Sequence, residues 1–152
     1  MIYIAHRGLI NGPNFELENN PEWIAQVLKM GYSAEIDLRV YNGKMYLGHD
    51  EPQYEVDFDF LRNNKDKLWI HAKDHVALEW MVRTGSLLNY FWHDSDDYTL
   101  TSYGYIWTYP GKPLNPFSIC VQPERARGFK PELFNEKCVG VCSKFVGSMQ
   151  NT

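Results

Sequence analysis

Between Ile4 and Asp50 the chain places two histidines, an arginine and a close pair of carboxylates at the ends of apolar runs. They fall in His6-Arg7-Gly8, Glu35-Ile36-Asp37 and Gly48-His49-Asp50, with Glu18-Asn19 between the first two. Ile2-Tyr3-Ile4-Ala5 reads as a buried strand, so His6-Arg7-Gly8 lies at its C-terminal tip. Side chains alternate along a strand, which projects Glu35 and Asp37 from one face. Two adjacent carboxylates repel and are costly unless a cation sits between them. The stretch therefore has the makings of a metal-assisted catalytic site.

The order His-Arg-Gly, Glu-Asn, Glu-x-Asp, His-Asp resembles the glycerophosphodiester phosphodiesterase family, whose fold is a (β/α) barrel related to that of the phosphatidylinositol-specific phospholipases C. The resemblance is closest over the first fifty residues and extends to about Asp74. It implies that His6 and His49 form an acid–base pair, that Glu35 and Asp37 bind a divalent metal, and that Arg7 holds phosphate. Glu18 is then a partner of Arg7 behind the site or an additional ligand. In the third strand the family usually carries Glu-x-Lys, whereas this chain has His71-Ala72-Lys73. Lys73 carries over as a phosphate contact. His71 stands where the glutamate would complete the metal site. Carboxylates favour Mg²⁺ or Ca²⁺, and an imidazole shifts the preference toward Mn²⁺ or Zn²⁺. The competing reading leaves His71 as a hydrogen-bonding group, with the metal bound weakly or lost. His75 and His93 have no comparable context and read as surface or helix-start residues; Asp94 and Asp96 lie in an acidic cluster beyond the fourth strand.

These groups need elements to position them. Asn20-Pro21-Glu22 is a helix start, with a cap, a proline at the first helical position and an early acid. Trp23, Ile24, Val27, Leu28 and Met30 supply its apolar face and Gly31 ends it. Ser33 to Val40 reads as the second strand, and Asn42-Gly43 predicts a tight hairpin that returns His49 to the carboxylates. A short helix is expected over 57–64, a third strand over Leu68 to Lys73, and a helix over His75 to Thr84 capped by Asp74. Leu87 to Trp92, Tyr105 to Tyr109, Ser118 to Gln122 and Val139 to Ser143 read as further strands. Pro123 and Pro131 each start only a brief helical turn.

Seven strands, with helices before the second and third, imply a single α/β domain over residues 1–152: a reduced TIM-type (β/α) barrel with shortened or missing helices in the C-terminal half. The 110–117 link is shorter than the ~10–12 residues a crossover needs, and such barrels usually take ~250 residues. An open or oligomer-completed barrel is compatible with that length.

Composition narrows the function. The chain has 44% hydrophobic and 22% charged residues, ordinary for a globular protein. Its aromatic share of 15% suggests a core and cleft lined by rings. A formal charge of −4 without a Lys/Arg cluster gives no support for a nucleic-acid partner. No apolar run approaches the ~20 residues of a membrane span, and Met1 leads straight into a strand, with no signal peptide to be seen. Three cysteines without a Cys-x-x-Cys read as reduced buried thiols, which suits a cytoplasmic setting. Metal-dependent hydrolysis of a glycerophosphodiester or related small phosphodiester is the expectation. The alternatives are a phosphate-binding module that has lost turnover, or a phospholipase or lyase acting on lipid headgroups.

Overall fold

In the computed structural model residues 1–150 of the chain are described. The first strand, β1 (Ile2–Ala5), ends in a 3-10 turn over His6–Gly8 in which Arg7 adopts a left-handed conformation, φ 55°. A loop then leads to α1 (Pro21–Lys29), where the Asn20 side chain accepts from the N–H groups of Glu22 and Trp23. Gly8 is the residue that lets this loop lie against α1. Its φ is +80°, and a Cβ there would meet Ile24 Cγ1 at 2.8 Å, in a helix position that is fully buried. Gly8→Ala is therefore expected to destabilise the protein by about 2–3 kcal/mol, from left-handed strain and overpacking together. Thermal unfolding checks it, and an unchanged melting temperature would remove the packing argument.

The remaining elements follow as β2 (Ser33–Tyr41), β3 (Lys44–Leu47), β4 (Tyr54–Val56), α2 (Phe58–Asn63), β5 (Leu68–Ala72), α3 (His75–Arg83) and β6 (Tyr90–Phe91). The second half holds β7 (Tyr98–Leu100), β8 (Ile106–Thr108), β9 (Ser118–Val121), β10 (Gly140–Ser143) and the one-turn α4 (Val146–Met149). All ten strands belong to one sheet. Parallel pairings run β6-β5-β2-β1-β10-β9-β8. The hairpin partners β3 and β4 extend antiparallel from β2, and β7 pairs antiparallel with β8.

The fold is thus a curled mixed sheet, a half-barrel, and not the reduced TIM-type (β/α) barrel expected from the sequence. Two findings overturn that expectation. Three antiparallel pairings break the strand–helix alternation, and the helices described are four and short. The physical cause lies in the links. An antiparallel strand, β7, stands between β6 and β8 where a crossover helix would be, and the β9–β10 link forms only 3-10 turns at Pro123–Arg125 and Pro131–Leu133. Proline opens each of those turns, and neither sequence continues into a helix. No helix among the described residues is long and apolar enough to cross a membrane.

Packing explains the curl. On β2 and β5, Ala34, Ile36, Leu38, Leu68, Ile70 and Ala72 are buried together on the face that α1 and α3 cover. The opposite face presents Glu35, Asp37, Trp69 and His71. Trp69 of β5 lies 4.9 Å from the ring of Tyr105 and 6.0 Å from Trp107, while Phe91 lies 4.4 Å from Trp107. Four strands separate β5 from β8 along the sheet, so these ring contacts close only because the sheet bends round. Large rings thus fill the concave side behind the site, each burying ~150–250 Å². All three thiols are free; Cys142 is buried, Cys120 and Cys138 partly so.

Candidate metal-binding and acid–base site

The site sits on β2 between the ends of its neighbours, with Ala5 at the end of β1 beside Ala34 and Ala72 at the end of β5 beside Leu38. Parallel register pairs Asp37 with His71 and Glu35 with Trp69, so one face of β2 and β5 carries two carboxylates and an imidazole. Glu35 and Asp37 are each about 1% exposed, and one ligand atom from each of Glu35, Asp37 and His71 lies within 4.8 Å of the others. His71 Nδ1 is 3.5 Å from Asp37 Oδ1 and 3.8 Å from Glu35 Oε1.

The tautomer of His71 decides what this cluster can do. Its Nε2 is 2.9 Å from the carbonyl oxygen of His93, which can only accept, so Nε2 carries a hydrogen. Burial, reinforced by Lys73, lowers the imidazole pKa to about 4 against the pull of Asp37. The neutral ring then turns an unprotonated Nδ1 toward two carboxylates. Three such groups facing one another need a cation or a shared proton between them, and a carbonyl fixing the far nitrogen is the usual support of a metal-binding histidine. The donor set therefore fits a divalent ion.

Around the cluster each polar contact has a reason. The left-handed turn at Arg7 aims its backbone N–H at Glu35 Oε2, 3.0 Å away. The Arg7 guanidinium pairs with Glu18 Oε1 at 2.8 Å and reaches Asp37 Oδ2 at 3.3 Å. Glu18 also lies 3.8 Å from Lys144 Nζ, so it orients cations and is not one of the three clustered ligands. Lys73 follows β5 directly, its N–H bonded to the Leu38 carbonyl, and its charge acts on both Glu35 and His71.

The electrostatics split the carboxylates. Burial, and then the neighbouring Asp37 charge, push the Glu35 pKa up to about 8 against Arg7 and Lys73. Burial acts on Asp37 in the same direction but is outweighed by its hydrogen bonds from His49 and Asn19 and by Arg7 and His71, so its carboxyl is held well below the usual range. Glu35 thus holds a proton at neutral pH while Asp37 stays ionised.

His6 and His49 flank this pair. His6 Nε2 is 3.8 Å from Glu35 Oε2, and its Nδ1 is 3.2 Å from the side-chain amide nitrogen of Gln122. Burial, followed by the charge of Arg7, lowers the His6 pKa to about 3, so the ring is neutral. His49 Nδ1 is 3.4 Å from Asp37 Oδ2, with its side chain a third exposed. The hairpin delivers it as the sequence implies: Asn42 and Gly43 both have positive φ, and the Gly48 N–H bonds to the Asp37 carbonyl at 3.0 Å. The Arg39 guanidinium then binds the carbonyls of Gly48 and His49, fixing the loop.

Gly48 is there for want of a side chain, since a Cβ would fall 1.9 Å from the carbonyl oxygen of Glu51. Backbone cannot yield as a side-chain end can. Gly48→Ala is expected to cost about 1–3 kcal/mol and to displace His49. Denaturant titration alongside a binding or turnover assay would show both; unaltered stability would contradict the crowding.

Three participants escape the sequence reading. Asn19, fully buried with φ 56°, accepts from the Asp37 N–H at 3.0 Å and donates to Asp37 Oδ2 at 2.9 Å. The available signal was its place in Glu18-Asn19 and the tolerance of asparagine for left-handed backbone. Gln122 touches His6 across 116 residues of chain. His93, read as a surface residue, contributes its carbonyl to His71, and its own ring packs 5.9 Å from Tyr109. No contact from Asp94 or the Asp96 side chain to the site is described.

No family model, curated protein or solved structure matches this chain.

Proposed function

We propose that this protein hydrolyses a small phosphodiester, of the glycerophosphodiester type, with a divalent ion held by Glu35, Asp37 and His71. The observation that carries the reading is His71 Nδ1 facing two buried carboxyl groups, Glu35 and Asp37, between two further histidines. Such an ion would supply Lewis-acid stabilisation of charge developing on the phosphoryl group.

The chain's own groups do the rest. Arg7 and Lys73 place positive charge beside an anionic phosphate, and electrostatic stabilisation of that kind is usually the largest catalytic contribution. His6, buried and neutral, takes the proton from the attacking hydroxyl at Nε2. Turning the Gln122 amide lets its oxygen accept from Nδ1–H, which leaves that Nε2 lone pair free. His49, at the rim 3.4 Å from Asp37 Oδ2, is the group placed to deliver a proton to the departing alcohol oxygen. Asn19 and Arg7 keep the Asp37 carboxylate oriented for both tasks.

The decisive experiment incubates the full chain with glycerophosphodiesters and bis(p-nitrophenyl) phosphate, with and without Mg²⁺, Mn²⁺ or Zn²⁺, and measures released alcohol. Metal-dependent release is expected. Phosphate or diester binding without release under any metal would replace hydrolysis by simple binding.

A further inference from the structure

Beside the site lies a cavity of about 1250 Å³ between the β8–β9 loop and the β9–β10 link. Gln122 lines it, and the same Gln122 side chain reaches His6. Gln122 thus stands between the cavity and the His6 edge away from Glu35, and links the two. The cavity's volume exceeds the usual ~300–1,000 Å³ of ligand pockets, more than a glycerol or choline group fills.

The wall has a definite character. Lys112, Arg125, Lys130 and Lys137 line it against a single carboxylate, Glu136, in a chain whose formal charge is −4. Lys112 is engaged by Asp97 at 3.1 Å, while Arg125 stacks over the Tyr109 ring, 5.5 Å from its centre. Tyr109, Phe129 and Phe134 supply apolar surface between these cations. Positive charge concentrated against rings, in an otherwise acidic molecule, is complementary to an anion attached to an apolar body.

We infer that this cavity binds an amphiphilic anion, and that it seats one organic substituent of the phosphodiester, which carries an anionic group on a flat ring or an alkyl chain. The second clause rests on the proposed hydrolysis; the first does not. The cations line a wall built largely from exposed loop residues, so substituting them leaves the buried core and the catalytic groups untouched.

The test titrates the full-length protein with 1-naphthyl phosphate, dodecyl phosphate, inorganic phosphate and phenyltrimethylammonium, by calorimetry and by the NMR signals of the His6 ring. The two amphiphilic phosphates separate a ring-bearing from a chain-bearing substituent. At least one is expected to bind more tightly than inorganic phosphate and to shift the His6 signals, while the cation does not bind. Arg125→Glu/Lys130→Glu should weaken that binding on the order of tenfold to a hundredfold, and Lys137→Glu, made separately, should weaken it in the same direction. Equal binding of the cation, no binding of either amphiphile, or affinity unchanged by charge reversal would overturn the inference. A final arm compares hydrolysis of the p-nitrophenyl phosphodiesters of a naphtholsulfonate and of methanol. If naphthyl phosphate binds but neither diester is cleaved, the binding site stands and the catalytic reading falls. If both are cleaved equally well, the cavity does not seat the substituent.

Discussion

Replacing His6 or His49 by alanine is expected to lower metal-supported phosphodiester turnover by ~10²–10⁴ in each case, with circular dichroism unchanged. The two losses arise differently. His49 is a third exposed and touches Asp37 only at 3.4 Å, so its removal deletes a proton donor without opening the core. His6 is buried and bonded to Gln122, and His6→Ala leaves that amide without its partner, at a further cost of about 1–3 kcal/mol in stability. A difference in melting temperature between the variants, with similar losses of turnover, is the signature of two proton-transfer groups in unlike surroundings. Near wild-type turnover in either variant would end its assignment to the acid–base pair.

The clustering of the candidate site's residues was legible because they lie on consecutive elements joined by strong local signals. The strand tip at His6, the period-two pair Glu35 and Asp37, the Asn42-Gly43 hairpin and the Asp74 cap are all decided by neighbours in sequence. The cap even does more than expected, since Asp74 accepts from Ala77 and from Val40 on the adjacent strand. The fold class was not legible, for a reason that sits in the second half. Periodicity marks Tyr105–Tyr109 or Ser118–Gln122 as strands but is silent on which strand each pairs with, or in which direction. The antiparallel β7, at Tyr98–Leu100 just after an acidic stretch, offers no long apolar run, and β4 is three residues long. The roles of Gln122 and of the His93 carbonyl were invisible for a related reason. One depends on a contact between opposite ends of the chain, the other on a backbone group that every residue possesses.

Metal binding should be strongly pH-dependent, and Glu35 sets the sign. A carboxylate must lose its proton to ligate, and the Glu35 carboxyl, raised to about 8 by burial and by Asp37, still holds one at neutral pH. Asp37 is already ionised, and His71 is already neutral above about pH 4. Between about pH 5 and 8, entry of an ion therefore expels close to one proton, and apparent affinity should fall about tenfold for each unit of acidification. Calorimetry in buffers of different ionisation enthalpy counts that proton directly. Stability in the absence of added metal carries the same sign. A raised folded-state pKa means that the folded protein binds more protons than the unfolded chain between about pH 4.5 and 8, so this contribution is lost as pH rises through that window. The lowered histidines His6 and His71 act oppositely, and because unfolded imidazoles are half protonated near pH 6.5 they offset Glu35 there and fade above about pH 7. From about pH 7 to 8 the metal-free melting temperature should thus decline, and saturating Mn²⁺ should reverse the decline. His71→Ala should weaken Mn²⁺ and Zn²⁺ on the order of a hundredfold yet keep the released proton, because that proton belongs to Glu35. Loss of the proton with affinity intact would place the ion elsewhere. Unchanged Mn²⁺ and Zn²⁺ affinity in His71→Ala would return His71 to a hydrogen-bonding role beside two carboxylate ligands.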